Sequence, residues 1–478
     1  MRAAGRGYGG MTARQFVREA QGGLDLREFY SEFFSRLHAL QQDYRLLVTM
    51  AEQAAWDALP ASRPGPLRGL PFSVKDNICT QGIQSTAGSR ILEGYIPPFD
   101  ATAVARTKHA GGILVGKTQM DEFGFGTFST NSGYGVPKNP LDPSRSCGGS
   151  SGGAAGLVRA LDLPHVAMAE STGGSISCPA AFCGVVGLTP TYGLVSRWGL
   201  IDYANSLDKI GVLARSVDDC ALLLEQMEGF DTKDSTSLKR ARTKDYRQEL
   251  DLRKVKIGLP KEYFQGVDAG IARTVQGAVD ALEREGAKVQ EVSLPHTKYA
   301  LAAYYVIATA EASTNLAKYC GMRYGQTLPL EGKFNEFFSR VRTRYFGDEA
   351  KRRIILGTFA RMAGYRDQLY LKAFQARTLV IRDFERAFKQ VDVLAAPTMP
   401  LLAPKFSEIA SLTPVEHYQM DILTVAPNLA GIPQLSLPCG ELQGLPVGLH
   451  LLADHLNESA LLGVGRAWER LTRPVEEG

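Results

Sequence analysis

The sequence predicts a layered α/β fold, a central mixed sheet flanked by helices. Two observations lead there. From Leu70 to Pro397, short apolar runs of strand length alternate with longer stretches of helical periodicity, and such alternation puts helices over the faces of a mixed or mostly parallel sheet. Hydrophobic residues make up 44% of the 478 and charged residues 22%, which is enough apolar material for a substantial core. Length alone leaves the number of domains open.

Taken in order, the first segment, about 12–60, reads as helical. Thr12-Ala13-Arg14-Gln15 has the form of a capping box, in which Thr12 and Gln15 satisfy free amides at a helix start. Leu26, Phe29, Phe33, Leu37 and Leu40 then recur at three- and four-residue steps, one apolar face of a second helix. Trp56 to Pro66 is rich in Ala and Pro and reads as a connection into the main body. Beyond it come a strand at 71–74, a helical stretch at 102–109 and a strand at 112–116. Further on, 254–259, 289–294 and 391–397 have strand character, and helices are expected at 271–285 and 367–389. The charged stretch 231–253 is poor in apolar residues; because a strand follows at once, it predicts a surface excursion, not a domain boundary.

Several functions are disfavoured by composition. Lys and Arg number 54 against 50 Asp and Glu, a net charge of +4 that does not mark a general nucleic-acid binder. No apolar run approaches the ~18–20 residues of a membrane span. Met1 to Met11 lacks an apolar stretch of the kind a secretory signal needs. Seven cysteines are scattered with no Cys-x-x-Cys, which fits reduced thiols in the cytoplasm and suggests neither disulfides nor a zinc site. The seven histidines are dispersed with no His-Glu-x-x-His, so no metal site is expected.

The chemistry is concentrated in two glycine-rich turns. Cys147-Gly-Gly-Ser150-Ser151-Gly-Gly153 and Ser171-Thr172-Gly173-Gly174-Ser175 flank a helical stretch, 154–161, and a strand at 166–169. Built into compact structure at both ends, they are not a linker. Glycines admit backbone conformations closed to other residues and let a substrate approach main-chain amides, and successive amides can hold a developing oxyanion. A serine closing such a turn can attack a carbonyl if a base takes its proton. With histidines so sparse, a lysine whose proton affinity is lowered by its surroundings is the natural base. Lys75, ending the apolar run 70–74, fits.

These three segments resemble the amidase signature family, whose members use a lysine, a bridging serine on a cis peptide and a nucleophilic serine. The pattern falls on Lys75, Ser150 and Ser175. The resemblance implies that Ser175 attacks an amide carbon while its proton passes through Ser150 to neutral Lys75, with the oxyanion on the turn Thr172, Gly173, Gly174 and Ser175. It also implies one domain of that family's α/β/α fold over 1–478. Further segments, among them 116–123, 131–135, 184–193, 302–305, 349–354 and 421–431, resemble the glutamine-hydrolysing A-type subunits of the glutamyl/aspartyl-tRNA amidotransferases. That likeness covers about 12–470. It implies that Arg353 takes the α-carboxylate of glutamine, Asp421 its α-ammonium, and that Tyr304 assists. It further implies B-type and C-type partner subunits, misacylated tRNA met through the complex, and ATP and Mg used by the partner, with no cofactor in this chain. The alternative is a free-standing amidase acting on other carboxamides. Against the family's usual pattern, Ser171 stands for Asp, Ser177 for Arg and Ala154 for a third Ser, and one extra residue falls near 161–164.

Overall fold

A computed structural model describes residues 8–61, 65–239 and 245–472. The capping box forms: Thr12 Oγ1 accepts the Gln15 amide at 3.1 Å and Gln15 Oε1 accepts the Thr12 amide at 2.8 Å, starting the helix Ala13–Gln21. The helix Leu26–Tyr44 begins on the Asp25 carboxylate, which accepts the Arg27 and Glu28 amides, and it buries Phe29, Phe33 and Leu37. The segment is not wholly helical, however. Leu47–Met50 is an edge strand antiparallel to Ile113–Thr118, too short for its alternation to stand out. The start of the expected connection, Trp56 included, lies in the helix Glu52–Ala58, where Ala favours helix over loop. Residues 62–64 of that connection lie outside the described residues.

Among the described residues one sheet has eleven strands. From one edge they run Leu47–Met50, Ile113–Thr118, Pro71–Lys75, Val166–Ser171, Lys209–Ala214 and Val186–Thr189. The order continues with Gln434–Leu442, Leu445–Ala453, Val393–Pro397, Lys256–Pro260 and Lys288–Val292. Pro71–Lys75 is parallel to both its neighbours. From Val166–Ser171 to Val393–Pro397 every pairing is antiparallel, and the last two pairings are parallel again. The sheet is therefore mixed, with parallel pairing in both wings and an antiparallel middle.

Helices cover both faces, and the strands between them are apolar on both sides: all six residues of Ile113–Thr118, Val166–Ser171 and Lys209–Ala214 are buried. Each fully buried Val or Leu contributes roughly 1.5–3 kcal/mol through removal of apolar surface from water. The charged stretch at 231–253 is fastened down at its start. Asp231 Oδ2 accepts the hydroxyls of Ser196 at 2.7 Å and Thr102 at 2.5 Å, and Asp234 Oδ2 accepts the Arg197 amide at 2.8 Å. Residues 240–244 of that stretch lie outside the described residues.

Two consequences of this topology place the chemistry. Parallel pairing brings the C-terminal ends of Pro71–Lys75 and Val166–Ser171 side by side, where ligands bind in open α/β sheets. The first strand ends on Lys75, and the second runs straight into the turn that carries Ser175.

Candidate active site

Lys75 is fully buried at the end of its strand. Its ammonium donates to Ser150 Oγ at 2.7 Å, to the Glu170 carbonyl at 2.9 Å and to Glu170 Oε2 at 3.0 Å. Ser150 sits on the loop just before the helix Gly152–Ala160, and the peptide bond joining it to Gly149 is cis. Asp121 braces that loop: its amide donates to the Ser150 carbonyl at 3.3 Å, and its carboxylate accepts the Ser129 and Asn131 amides, each at 2.9 Å. Burial pushes the Asp121 carboxyl up to about 6, against those hydrogen bonds and the charges of Lys75 and Arg353.

Ser175 lies in the turn after the strand Val166–Ser171 and is 6% exposed. Among the described residues its hydroxyl has no hydrogen-bond partner. The amides of Gly173, Gly174 and Ser175 donate to no acceptor among the described residues either. Preorganised amides of this kind stabilise a developing oxyanion, each removed donor costing about 10²–10³ in rate in well-studied cases. The turn is clamped from both sides: the Cys178 amide donates to the Gly174 carbonyl at 2.8 Å, and the Ser151 amide donates to the Ser175 carbonyl at 3.2 Å. Thr172 Oγ1 meets Glu170 Oε1 and Asp208 Oδ1, both at 2.8 Å. The two serines at 171 and 177 add little. Ser171 Oγ reaches the Gly173 carbonyl and Ser177 Oγ reaches His450 Nε2 only at 3.5 Å. Burial, then the nearby Lys209 charge, pushes His450 down to about 3, so it stays neutral.

Arg353, on the helix Asp348–Arg361, is 3% exposed while its neighbour Arg352 faces outward. It donates through Nε to Glu349 Oε1 and through Nη1 to the Tyr203 hydroxyl, both at 2.7 Å. The rings of Phe125, Tyr203, Tyr305 and Tyr418 surround its guanidinium at 5.2–5.6 Å. A cavity of ≈ 300 Å³ opens there, lined by Thr127, Glu349, Arg353 and Tyr418 among others. Asp421 lies behind Thr127, accepting the Thr127 hydroxyl at 3.2 Å and the Tyr305 hydroxyl at 2.6 Å. Burial raises its carboxyl above the ordinary range, against Tyr305 and Arg353; an arriving ammonium would draw it back down.

The structure thus brings Lys75 and Ser150 into contact, sets Ser175 on the adjoining turn and lines a cleft with Arg353, while Asp421 lies behind the Thr127 wall of that cleft. The hydroxyl on Asp421 belongs to Tyr305, while Tyr304 packs on the nucleophile turn, where a Cβ at Gly173 would meet its hydroxyl at 2.7 Å. Glu170, Asp208, Glu349 and Tyr203 escaped sequence reasoning. Only Glu170 left a signal, an acid inside an otherwise apolar strand. Among the described residues no cluster of His, Cys, Asp and Glu could hold a metal, and no helix is long and apolar enough to cross a membrane.

Comparison with known proteins agrees with the geometry. The chain is 50% identical to the A-type subunit of glutamyl-tRNA(Gln) amidotransferase from Methanococcoides burtonii, covering 85% of this chain and 86% of that one. It is 49% identical to the protein of the same name from Carboxydothermus hydrogenoformans, covering 92% of each. The crystal structure of the corresponding glutamyl-tRNA(Gln) amidotransferase chain, also A-type, from Thermotoga maritima superposes with a TM-score of 0.81 at 34% identity, covering 99% of this chain and 97% of that one. The Amidase family profile matches residues 28–462, and the chain belongs to that family.

Proposed function

We propose that this chain is the glutaminase subunit of a tRNA-dependent amidotransferase. The observation that carries the proposal is a buried Lys75–Ser150 contact beside the Ser175 turn, together with opposite charges, Arg353 on a cleft and Asp421 behind its Thr127 wall. A simple acyl amide offers no zwitterion to such a pair, whereas glutamine offers a carboxylate and an ammonium. The names of the relatives support the same reading.

In this reading Arg353 holds the α-carboxylate, for which its planar fork suits paired hydrogen bonds, and Asp421 holds the α-ammonium. Ser175 Oγ attacks the side-chain amide carbon. Its proton passes to Ser150 Oγ as the Ser150 proton passes to Lys75 in its amine form. The oxyanion rests on the free amides of Gly173, Gly174 and Ser175. The relay then runs backwards, delivering the proton to the departing nitrogen, and ammonia leaves an acyl ester on Ser175. Water, deprotonated by the same relay, hydrolyses the ester to glutamate. The ammonia passes to a B-type partner that uses ATP and Mg to amidate misacylated tRNA, with a C-type subunit completing a heterotrimer in the cytoplasm.

The test is glutamine-dependent ammonia release by the chain alone and with B-type and C-type partners. Activity should rise with partners and fall by about three orders of magnitude or more in Lys75→Ala and Ser175→Ala. Indifference to glutamine with cleavage of simple amides would instead leave a free-standing amidase.

A further inference from the structure

We propose that the outward face of the helix Asp348–Arg361 is a docking surface for an acidic, apolar-faced segment of a partner subunit, seated on the far side of that helix from Arg353. This rests on the amidotransferase reading above and says where a partner meets this chain.

The helix already has a core-facing side. Ala350, Arg353, Gly357 and Ala360 are buried, and a Cβ at Gly357 would sit 1.8 Å from the Thr309 carbonyl oxygen on the helix Ala300–Asn315. Yet the opposite side is apolar too. Ile355, Leu356, Phe359 and Met362 are 68%, 43%, 43% and 51% exposed. At about 100° per residue these four centre nearly opposite the buried set. Tyr365 extends the stripe, its ring centroid 4.5 Å from that of Phe359. Beside the stripe lies a groove of ≈ 560 Å³, lined by Phe338, Phe346, Ile354 and Ile355 among others. A surface helix is ordinarily polar on the side away from the core, and one that is apolar on both sides is covered on both.

Charge identifies what covers it. Between Lys333 and Lys372 the chain carries ten Lys and Arg against four Asp and Glu, a net +6. The whole chain is only +4, so the remainder is net −2. Arg352 is exposed one turn from Ile355 and Leu356, and Arg342 and Lys351 line the groove. Asp348 and Glu349 answer part of this charge, at Lys351 and at Arg352 and Arg353, and the surplus remains. A second copy of the chain would set +6 against +6. RNA is held through its phosphates and by stacking on flat rings, and Ile355, Leu356 and Met362 are not rings. A lipid surface is too flat to fill the groove. A protein segment with carboxylates beside apolar side chains meets both features, and interface centres are rich in aromatic residues, Met and Arg. Such a partner bears directly on the helix that holds the substrate carboxylate.

The test titrates the full chain with a purified mixture of the B-type and C-type subunits, reading Kd by calorimetry at 50 and 500 mM NaCl. Wild type is compared with Ile355→Glu, Phe359→Glu and Arg344→Glu, all at exposed positions; Tm and ammonia release by each chain alone, both unchanged, are the control for folding. Either apolar-face substitution should weaken Kd about tenfold or more, and the second stands in if the first fails that control. Arg344→Glu should weaken it about threefold or more at 50 mM NaCl and little at 500 mM, because salt screens exposed charges. Wild-type Kd in both apolar-face variants, or indifference to Arg344→Glu and to salt, would overturn the proposal and leave the functional reading standing. Wild-type assembly in those variants with loss of self-association, of tRNA binding or of binding to phosphatidylglycerol vesicles would give the face to that other occupant. No binding of either subunit by the wild type would remove the functional reading, and this surface's partner with it.

Discussion

At the scale of single residues, the site depends on close approaches that a methyl group would spoil. Tyr304 is 3% exposed, and a Cβ at Gly173 would press on its hydroxyl. Gly173→Ala should therefore displace the turn and lower kcat about 10–100-fold with a smaller change in KM, since misplacing reacting groups by an ångström has effects of that order. Steady-state ammonia release distinguishes the two parameters. Arg353→Lys should act in the opposite way. It keeps the charge but loses the fork that grips Glu349 and Tyr203, so KM for glutamine should rise about tenfold or more while kcat is less affected. The acid beside the nucleophile also has a residue-scale lesson. Neighbouring residues on a strand face opposite sides, and of Glu170 and Ser171 it is Glu170 whose carboxylate meets Lys75, at 3.0 Å.

At the scale of elements, the helix Asp348–Arg361 that carries Arg353 is held at its start by a distant acid. Glu122 Oε2 accepts the Gly347 amide at 2.9 Å, and Glu122 Oε1 accepts the Ser89 hydroxyl at 2.5 Å. Burial pushes the Glu122 carboxyl up to about 7, against those hydrogen bonds. A carboxyl whose folded value lies above its unfolded one, near 4.3, contributes stability at low pH. That contribution is lost as pH rises through about 7. Glu122→Gln keeps an acceptor for Gly347 but has no proton to lose, so its Tm should gain on the wild type between about pH 5 and 7 and hold level above that. A parallel Tm-versus-pH series checks this, and a constant difference would refute it. Elements with strong local rules were legible in the sequence. The box at Thr12, the apolar face from Leu26 to Leu40 and the stretch Thr102–His109 declare themselves through spacing alone. The strands Gln434–Leu442 and Leu445–Ala453 did not, because Pro438, Gly440, Pro446 and Gly448 interrupt them and such residues ordinarily argue against a central strand. The register shifts between Pro438 and Gly440, which accommodates the break. In the candidate site, Lys75 stood out at the end of an apolar run, Ser175 at a glycine-rich turn and Ser150 through the family resemblance, whereas Asp208 and Tyr203 owe their places to contacts across the fold that no local spacing encodes.

At the scale of the whole molecule, the hairpin Gln434–Ala453 joins the two wings of the sheet. Leu451 is fully buried there, and it pairs with Leu435 on one side and Ala395 on the other. Leu451→Ala should destabilise the protein by about 2–5 kcal/mol, read as a lower denaturant midpoint. Glutaminase activity at low denaturant should be retained, because neighbouring strand residues face opposite sides and it is His450 that faces the helix after Ser175. The same arrangement matters during synthesis. Six strands of the sheet are complete once Ala214 has been made, yet the strand Val186–Thr189 then forms a bare rim until the segment from Gln434 emerges. At about 5–20 residues per second that interval lasts on the order of ten to fifty seconds. Throughout it the nascent chain presents an unpaired edge on the ribosome, the kind of surface that templates association between neighbouring chains.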